Sequence, residues 1–265
     1  MNEVHLRRST DTDEEQQRAR RGIYLLPNLF TTAALFAGFY AIVAAINSRY
    51  GAASIAVFVA LILDGLDGRV ARMTNTQSAF GAQYDSLSDM ISFGLAPALV
   101  MYEWALVYMK PMGWFWGQIG WLAAFFYAAS TALRLARFNT RIATQDKRYF
   151  QGLPSPAAAA LLMGMIWMWH DLDFEGAHLK IPALLITVSA GALMVSNLTY
   201  YSFKDFDLRE RVPFVAMLAV VLGLMLLSLD PPKVLFTFFA VYTLSGPVLG
   251  VIRWRRKRGH RQIAG

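Results

Sequence analysis

The chain has 265 residues, of which 56% are hydrophobic and 16% are charged, and its formal net charge is +7. A soluble domain of this size carries more charge and fewer long apolar runs, so this composition indicates a membrane protein. The lack of cysteine excludes disulfides, thiolate catalysis and cysteine-ligated zinc, and four scattered histidines argue against a histidine metal site.

The chain begins with a polar segment of mixed charge, residues 1–22. No small-residue cleavage site follows the first apolar run closely, so we do not interpret this segment as a signal peptide. We interpret it as a cytosolic tail. A membrane domain over residues 23–252 and a basic cytosolic tail over residues 253–265 complete the predicted organisation.

Apolar segments of about 20 residues, the length that spans a bilayer, recur through the membrane domain. They predict an all-α polytopic bundle of about eight transmembrane helices, of which the fifth and seventh are short. In chain order the segments are Leu25–Ile46, Ala52–Met73, Gly81–Tyr102, Phe115–Leu135, Pro154–Trp169, Ile181–Tyr200, Pro213–Leu229 and Val234–Ile252.

Basic residues are distributed unequally between the two sides of this predicted bundle. With the N-terminus in the cytoplasm, about 21 Lys and Arg residues fall on the cytoplasmic side and about 4 on the outer side. This excess satisfies the positive-inside rule and places the C-terminus in the cytoplasm as well. The net positive charge is therefore an orientation signal and a contact for anionic lipids, and it does not indicate nucleic-acid binding.

The stretch LILDGLDGRVARMTNTQSAFGAQYDSLSDM, residues 61–90, places four aspartates beside apolar runs. Three- and four-residue steps put Asp64 and Asp67 on one face of a helix, and Asp85 and Asp89 on one face of the next. A short connection makes these helices antiparallel neighbours, so the four carboxylates are expected to converge. They lie near the cytoplasmic interface, which avoids the cost of about 2.5–3.5 kcal/mol for a charge at mid-bilayer.

Four converging carboxylates repel one another unless cations lie between them. Oxygen-only ligands favour Mg²⁺ or Mn²⁺, which commonly bridge substrate phosphates. Gly68 and Ala71 share the face of the first two aspartates and leave room for a flat ligand, and Arg72 adds a cation suited to phosphate. A cation- or proton-coupled transporter is the alternative, because paired carboxylates also form relays. A purely structural membrane protein explains none of the spacing.

The aspartates belong to the pattern D-x-x-D-G-x-x-A-R, eight further residues, then G-x-x-x-D-x-x-x-D. At every position this pattern resembles the signature of the CDP-alcohol phosphotransferase family. Four further stretches resemble the branch of bacterial membrane enzymes in that family that use L-serine: LPNLFTTAALFAGF, SFGLAPA, ALRLARFN and FQGLPSPAAAA. The signature positions are Asp64, Asp67, Gly68, Ala71, Arg72, Gly81, Asp85 and Asp89.

The resemblance implies transfer of the phosphatidyl group from CDP-diacylglycerol to the hydroxyl of L-serine, with release of CMP. It implies a homodimer in the bacterial inner membrane with its active site facing the cytoplasm. Asp64, Asp67, Asp85 and Asp89 are expected to hold two Mg²⁺ or Mn²⁺ ions, with Asp89 also acting as general base. The expected ligands of CDP-diacylglycerol are Asn28, Thr31, Asp64, Gly68, Ala71, Arg72, Ser78 and Gly81.

Three of these residues also have simpler structural interpretations. Asn28 follows Pro27 and would serve as a helix N-cap. Ser78 would serve as a cap or loop residue, and Gly81 would serve helix packing.

The acceptor pocket needs a cation for the carboxylate of L-serine. Arg134 and Arg137 lie one helical turn apart at the cytoplasmic end of the predicted fourth helix, and Asn139 follows. We expect these three residues to bind serine, although both arginines would also serve as positive-inside anchors. A different acceptor, such as glycerol 3-phosphate or inositol phosphate, would require further basic ligands for its phosphate.

Overall fold

The computed structural model describes residues 27–74, 78–141, 149–201 and 214–263. Within these ranges the protein is built from helices, with one short two-stranded antiparallel ribbon. The predicted tail over residues 1–22 lies outside the described residues.

The helices in chain order are α1 (Pro27–Ile46), α2 (Tyr50–Met73), α3 (Ala79–Asp89), a π-helical segment (Met90–Leu95), α4 (Ala96–Trp104), a 3₁₀ segment (Leu106–Met112), α5 (Trp114–Arg141), α6 (Ser155–Asp171), a 3₁₀ turn (Gly176–His178), α7 (Lys180–Val195), α8 (Phe214–Leu229) and α9 (Pro231–Ile263). The ribbon pairs β1 (Tyr149–Gln151) with β2 (Thr199–Tyr201), and Phe150 lies opposite Tyr200.

Each of the eight predicted apolar segments contains a helix of the structure. Among the described residues, α1, α2, α5 and α9 are long and apolar enough to span a membrane. The run from α3 to the 3₁₀ segment is bent by 43°, and it adds a fifth span if the two parts count as one broken span. The shorter helices α6, α7 and α8 have 17, 16 and 16 residues. Four to five spans are therefore found, and the total of eight stays a prediction.

The end of the predicted segment Ile181–Tyr200 is wrong. Helix α7 stops at Val195, Ser196 is extended, and the last residues of the segment form strand β2. The hydroxyl of Ser196 accepts a hydrogen bond from the backbone N–H of Leu198, which turns the chain out of the helix. The apolar composition of the segment concealed this turn.

Other segment ends also differ, because helical geometry continues past the apolar residues. Helix α5 extends beyond Leu135 to Arg141, so Arg137 and Asn139 lie within it together with Arg134. Helix α9 extends beyond Ile252 through most of the predicted basic tail to Ile263.

Small residues of helices α1, α2 and α6 form much of a shared core. Ala41, Ala53 and Ala159 are fully buried, and such residues let helix backbones approach closely. The closest approach near the aspartates involves Gly38 of α1, because a Cβ atom there would lie 2.5 Å from the Oγ atom of Ser92. Helix α1 therefore packs closely against the π-helical segment that follows α3.

Large apolar side chains cover the outside of the candidate spans and of the shorter helix α8. Phe36 on α1, Leu133 on α5 and Val220 on α8 are each more than half exposed. Soluble proteins rarely expose so much apolar surface, whereas lipid acyl chains solvate it. This surface fits an integral membrane protein.

Candidate active site

The four aspartates of helices α2 and α3 come together in the structure. Asp64, Asp67 and Asp85 each offer a carboxylate oxygen, and these three oxygens lie within 4.8 Å of one another. Asp89 lies beside this group, because its carboxyl group interacts electrostatically with those of Asp64 and Asp85. Carboxylates so close together require cations or protons, and an oxygen-only set of this kind fits a hard divalent cation.

Asp67 is held in place by Thr31 of α1. The Thr31 hydroxyl donates a hydrogen bond of 2.7 Å to Oδ2 of Asp67, and the two residues are only 4% and 6% exposed. The family resemblance implies that Thr31 binds the nucleotide lipid, whereas in the structure its hydroxyl contacts an aspartate. Thr31 thus orients a carboxylate of the cluster.

Two serines that flank Asp89 fasten its helix to α1. The Ser88 hydroxyl donates to the backbone carbonyl of Thr31 at 3.1 Å, and the Ser92 hydroxyl donates to that of Ala34 at 3.1 Å. Ser88 is not among the site residues expected from the sequence. The available signal was its spacing, since two serines four residues apart beside an aspartate lie on one helix face. These bonds fix the position of Asp89 relative to the Thr31–Asp67 pair.

The start of α3 is capped by Ser78. Its Oγ atom accepts a hydrogen bond of 3.0 Å from the backbone N–H of Gly81, so the simpler interpretation of Ser78 as a cap agrees with the structure. A Cβ atom on Gly81 would lie 3.5 Å from Oδ1 of Asn28. Because Pro27 already belongs to α1, Asn28 lies within the helix and not at its N-cap position. The Asn28 amide is thus brought beside the start of α3.

The side of α2 next to the cluster is open. Gly68 is exposed, and a Cβ atom built on it would meet no other atom within 4 Å. Arg72 is also exposed, and its Nε atom donates to the backbone carbonyl of Gly68 at 2.8 Å. Ala71, between them in sequence, is partly exposed. This surface has the small residues and the cation that a nucleotide diphosphate would use.

Arg134 and Asn139 connect α5 to neighbouring parts of the site. Nη1 of Arg134 donates to the Oγ atom of Ser155 at 2.8 Å, and the guanidinium lies within electrostatic range of Asp89. Nδ2 of Asn139 donates to the hydroxyl of Ser86 on α3 at 3.0 Å. Arg134 therefore joins α5 to α6 within electrostatic range of Asp89, while Asn139 joins α5 to α3.

Arg137 points elsewhere. Its Nη2 atom donates to Oε1 of Gln151 at 2.5 Å and to Oδ1 of Asn197 at 2.7 Å. Its Nη1 atom is 3.4 Å from the backbone carbonyls of Val195 and Ser196. Arg137 thus ties together the ribbon, the end of α7 and the end of α5. Its predicted part in serine binding finds no support in these contacts.

Comparison with known proteins identifies the class to which this fold and aspartate cluster belong. Residues 24–224 match the CDP-alcohol phosphatidyltransferase family, and the chain belongs to that family. The resemblance noted from the aspartate spacing is therefore confirmed.

Curated relatives narrow the comparison further. The chain is 37% identical over 232 residues to the CDP-diacylglycerol–serine O-phosphatidyltransferase of Helicobacter pylori, covering 88% of this chain and 92% of the relative. It is 38% identical over 222 residues to the protein of the same name from Mycobacterium leprae, covering 80% and 71%. An archaetidylserine synthase of Methanothermobacter thermautotrophicus is 32% identical over 177 residues, covering 66% and 69%.

Proposed function

We propose that the protein transfers the phosphatidyl group of CDP-diacylglycerol to the hydroxyl of L-serine, which gives phosphatidylserine and CMP. The convergence of the family's aspartates, with three carboxylate oxygens within 4.8 Å, is the observation that supports this proposal most strongly. The choice of serine as acceptor is supported by the names of relatives that align over most of the chain.

Asp64, Asp67 and Asp85 are the residues that would hold a first divalent cation, and Asp89, beside Asp64, would contribute to a second. When bound, Mg²⁺ or Mn²⁺ supplies positive charge that stabilises the oxygens of the diphosphate during transfer. Thr31 orients Asp67 for this task, in the way that outer hydrogen-bond partners generally orient metal ligands.

The nucleotide lipid would lie along the open side of α2. Gly68 and Ala71 leave space for the cytidine moiety, and Arg72 provides a cation for its phosphates. Asn28, Gly81 and Ser78 line the start of α3 beside this surface and would border the nucleotide. The acyl chains would remain in the bilayer.

Asp89 is the proposed general base. It would accept the proton of the serine hydroxyl while the serine oxygen forms a bond to the β-phosphorus. The bond between that phosphorus and the oxygen of CMP breaks at the same centre, and CMP leaves with the bridging oxygen. The electrostatic interactions of Asp89 with Asp64, Asp85 and Arg134 support this assignment.

The proposed setting is the cytoplasmic side of the bacterial inner membrane. Helices α6, α7 and α8 would complete a bundle of eight spans, with both termini in the cytoplasm as the distribution of basic residues indicates. This orientation places the aspartates at the interface where soluble L-serine and membrane-bound CDP-diacylglycerol meet. A homodimer is expected from the family resemblance.

An acceptor panel tests the proposal. Full-length protein in detergent is supplied with CDP-diacylglycerol, Mg²⁺ or Mn²⁺, and one of L-serine, glycerol 3-phosphate or inositol phosphate, and CMP release is measured. We expect release with L-serine. Release with a phosphorylated alcohol alone would assign a different acceptor, and no release with any alcohol would favour the transporter alternative.

A further inference from the structure

The guanidinium of Arg134 is only partly satisfied within the protein. Its Nη1 atom bonds to Ser155, but its Nε atom is buried and has no hydrogen-bond partner among the described residues. A buried, charged donor without an acceptor is costly, and native proteins rarely keep one without a reason. Such a group beside an active site indicates that an anionic ligand supplies the missing acceptor.

Ser155 adds a second feature to the same place. It is the first residue of α6, a helix of 17 residues, and it is fully buried. The N-terminus of a helix carries partial positive charge and free backbone N–H groups, which favour anions. The Arg134 guanidinium, the Ser155 hydroxyl and the start of α6 therefore form one electropositive subsite.

This subsite lies within electrostatic range of the proposed general base. Arg134 and Asp89 influence each other electrostatically, yet among the described residues no ion pair within 4.0 Å joins them. Opposite charges that lie within electrostatic range of each other but do not pair suit a small ligand that bridges them. L-serine has this form, because its carboxylate and its hydroxyl lie on adjacent carbon atoms.

Resting on the proposed function, we propose that Arg134 and Ser155 bind the carboxylate of the acceptor and so direct its hydroxyl to Asp89. Arg137 is excluded from this subsite because it binds the ribbon and the end of α7. The diphosphate of the nucleotide lipid is the other anion that Arg134 would bind. The KM values for L-serine and for CDP-diacylglycerol distinguish these two anions.

The test compares Arg134→Gln, Arg134→Lys and Ser155→Ala with the unmodified full-length protein. Ser130→Ala is the matched control, since Ser130 is a buried serine one turn from Arg134 on α5. We expect Arg134→Gln to raise the KM for L-serine by about 10- to 100-fold and Ser155→Ala by about 3- to 10-fold. Arg134→Lys should recover part of the loss, while the KM for CDP-diacylglycerol and the melting temperature stay near their original values.

Three outcomes would overturn this inference. An equal rise in the KM values for L-serine and CDP-diacylglycerol would assign the subsite to the diphosphate. An unchanged KM for L-serine would show that Arg134 and Ser155 do not recognise the acceptor. A matching effect of Ser130→Ala would show a general loss of packing. If Arg134→Gln does not fold, Ser155→Ala carries the same test. Failure of the proposed function is distinguishable, because the unmodified protein would then release no CMP with L-serine.

Discussion

Removing the hydroxyl of Thr31 tests whether the orientation of Asp67 matters for cation binding. Thr31→Val keeps the shape of the side chain but deletes the donor of a buried 2.7 Å hydrogen bond to Oδ2 of Asp67. Hydrogen bonds to charged groups contribute about 1.5–3 kcal/mol, and the loss of an outer partner of a metal ligand typically costs 10- to 100-fold in metal affinity. We expect the Mg²⁺ or Mn²⁺ concentration for half-maximal CMP release to rise by about that factor.

The assay is a metal titration at saturating L-serine and CDP-diacylglycerol. Thr187→Val is the matched control, because Thr187 is also a buried threonine, and its hydroxyl donates only to the backbone carbonyl of Ala183. Thr31→Ser should titrate like the original protein, since it keeps the hydroxyl. An unchanged metal requirement in Thr31→Val, or an equal change in Thr187→Val, would refute the reasoning.

Three further predictions concern the cations, the base and the ribbon. EDTA should abolish CMP release and added Mg²⁺ or Mn²⁺ should restore it; full activity in chelator would exclude a role for cations. Asp89→Asn should lower kcat by a factor of about 10²–10⁴ and largely keep the affinity for CDP-diacylglycerol, whereas Asp64→Asn should weaken that affinity. Equal losses of affinity in the two variants would show that Asp89 is mainly a metal ligand. Arg137→Ala should lower the melting temperature by about 3–8 °C, because it removes the bonds to Gln151 and Asn197, and an unchanged value would contradict this.

Local patterns predicted the helices and the aspartate cluster. The apolar runs placed a helix in every expected segment, because burial in a bilayer requires continuous hydrogen-bonded helix. The convergence of Asp64, Asp67 and Asp85 followed from three- and four-residue spacing and a short connection between two helices. Both inferences use residues close together in sequence.

The parts that sequence reasoning missed depend on contacts between distant residues. Arg137 and Asn197 are 60 residues apart, and their bond helps to end α7 before the ribbon. The ribbon itself has strands of three residues, which are too short for an alternating pattern to be visible in an apolar run. Ser155 pairs with Arg134 across α5 and α6, and nothing in the sequence around Pro154 indicates that partner.

Transfer of an isotopic label tests the central claim most directly. L-serine with ¹⁸O in its hydroxyl is incubated with the full-length protein, CDP-diacylglycerol and Mg²⁺ or Mn²⁺, and the products are analysed by mass spectrometry. If the serine oxygen attacks phosphorus and CMP leaves with the bridging oxygen, ¹⁸O appears in phosphatidylserine and is absent from CMP. Label in CMP, or CMP released without labelled phosphatidylserine, would contradict the account.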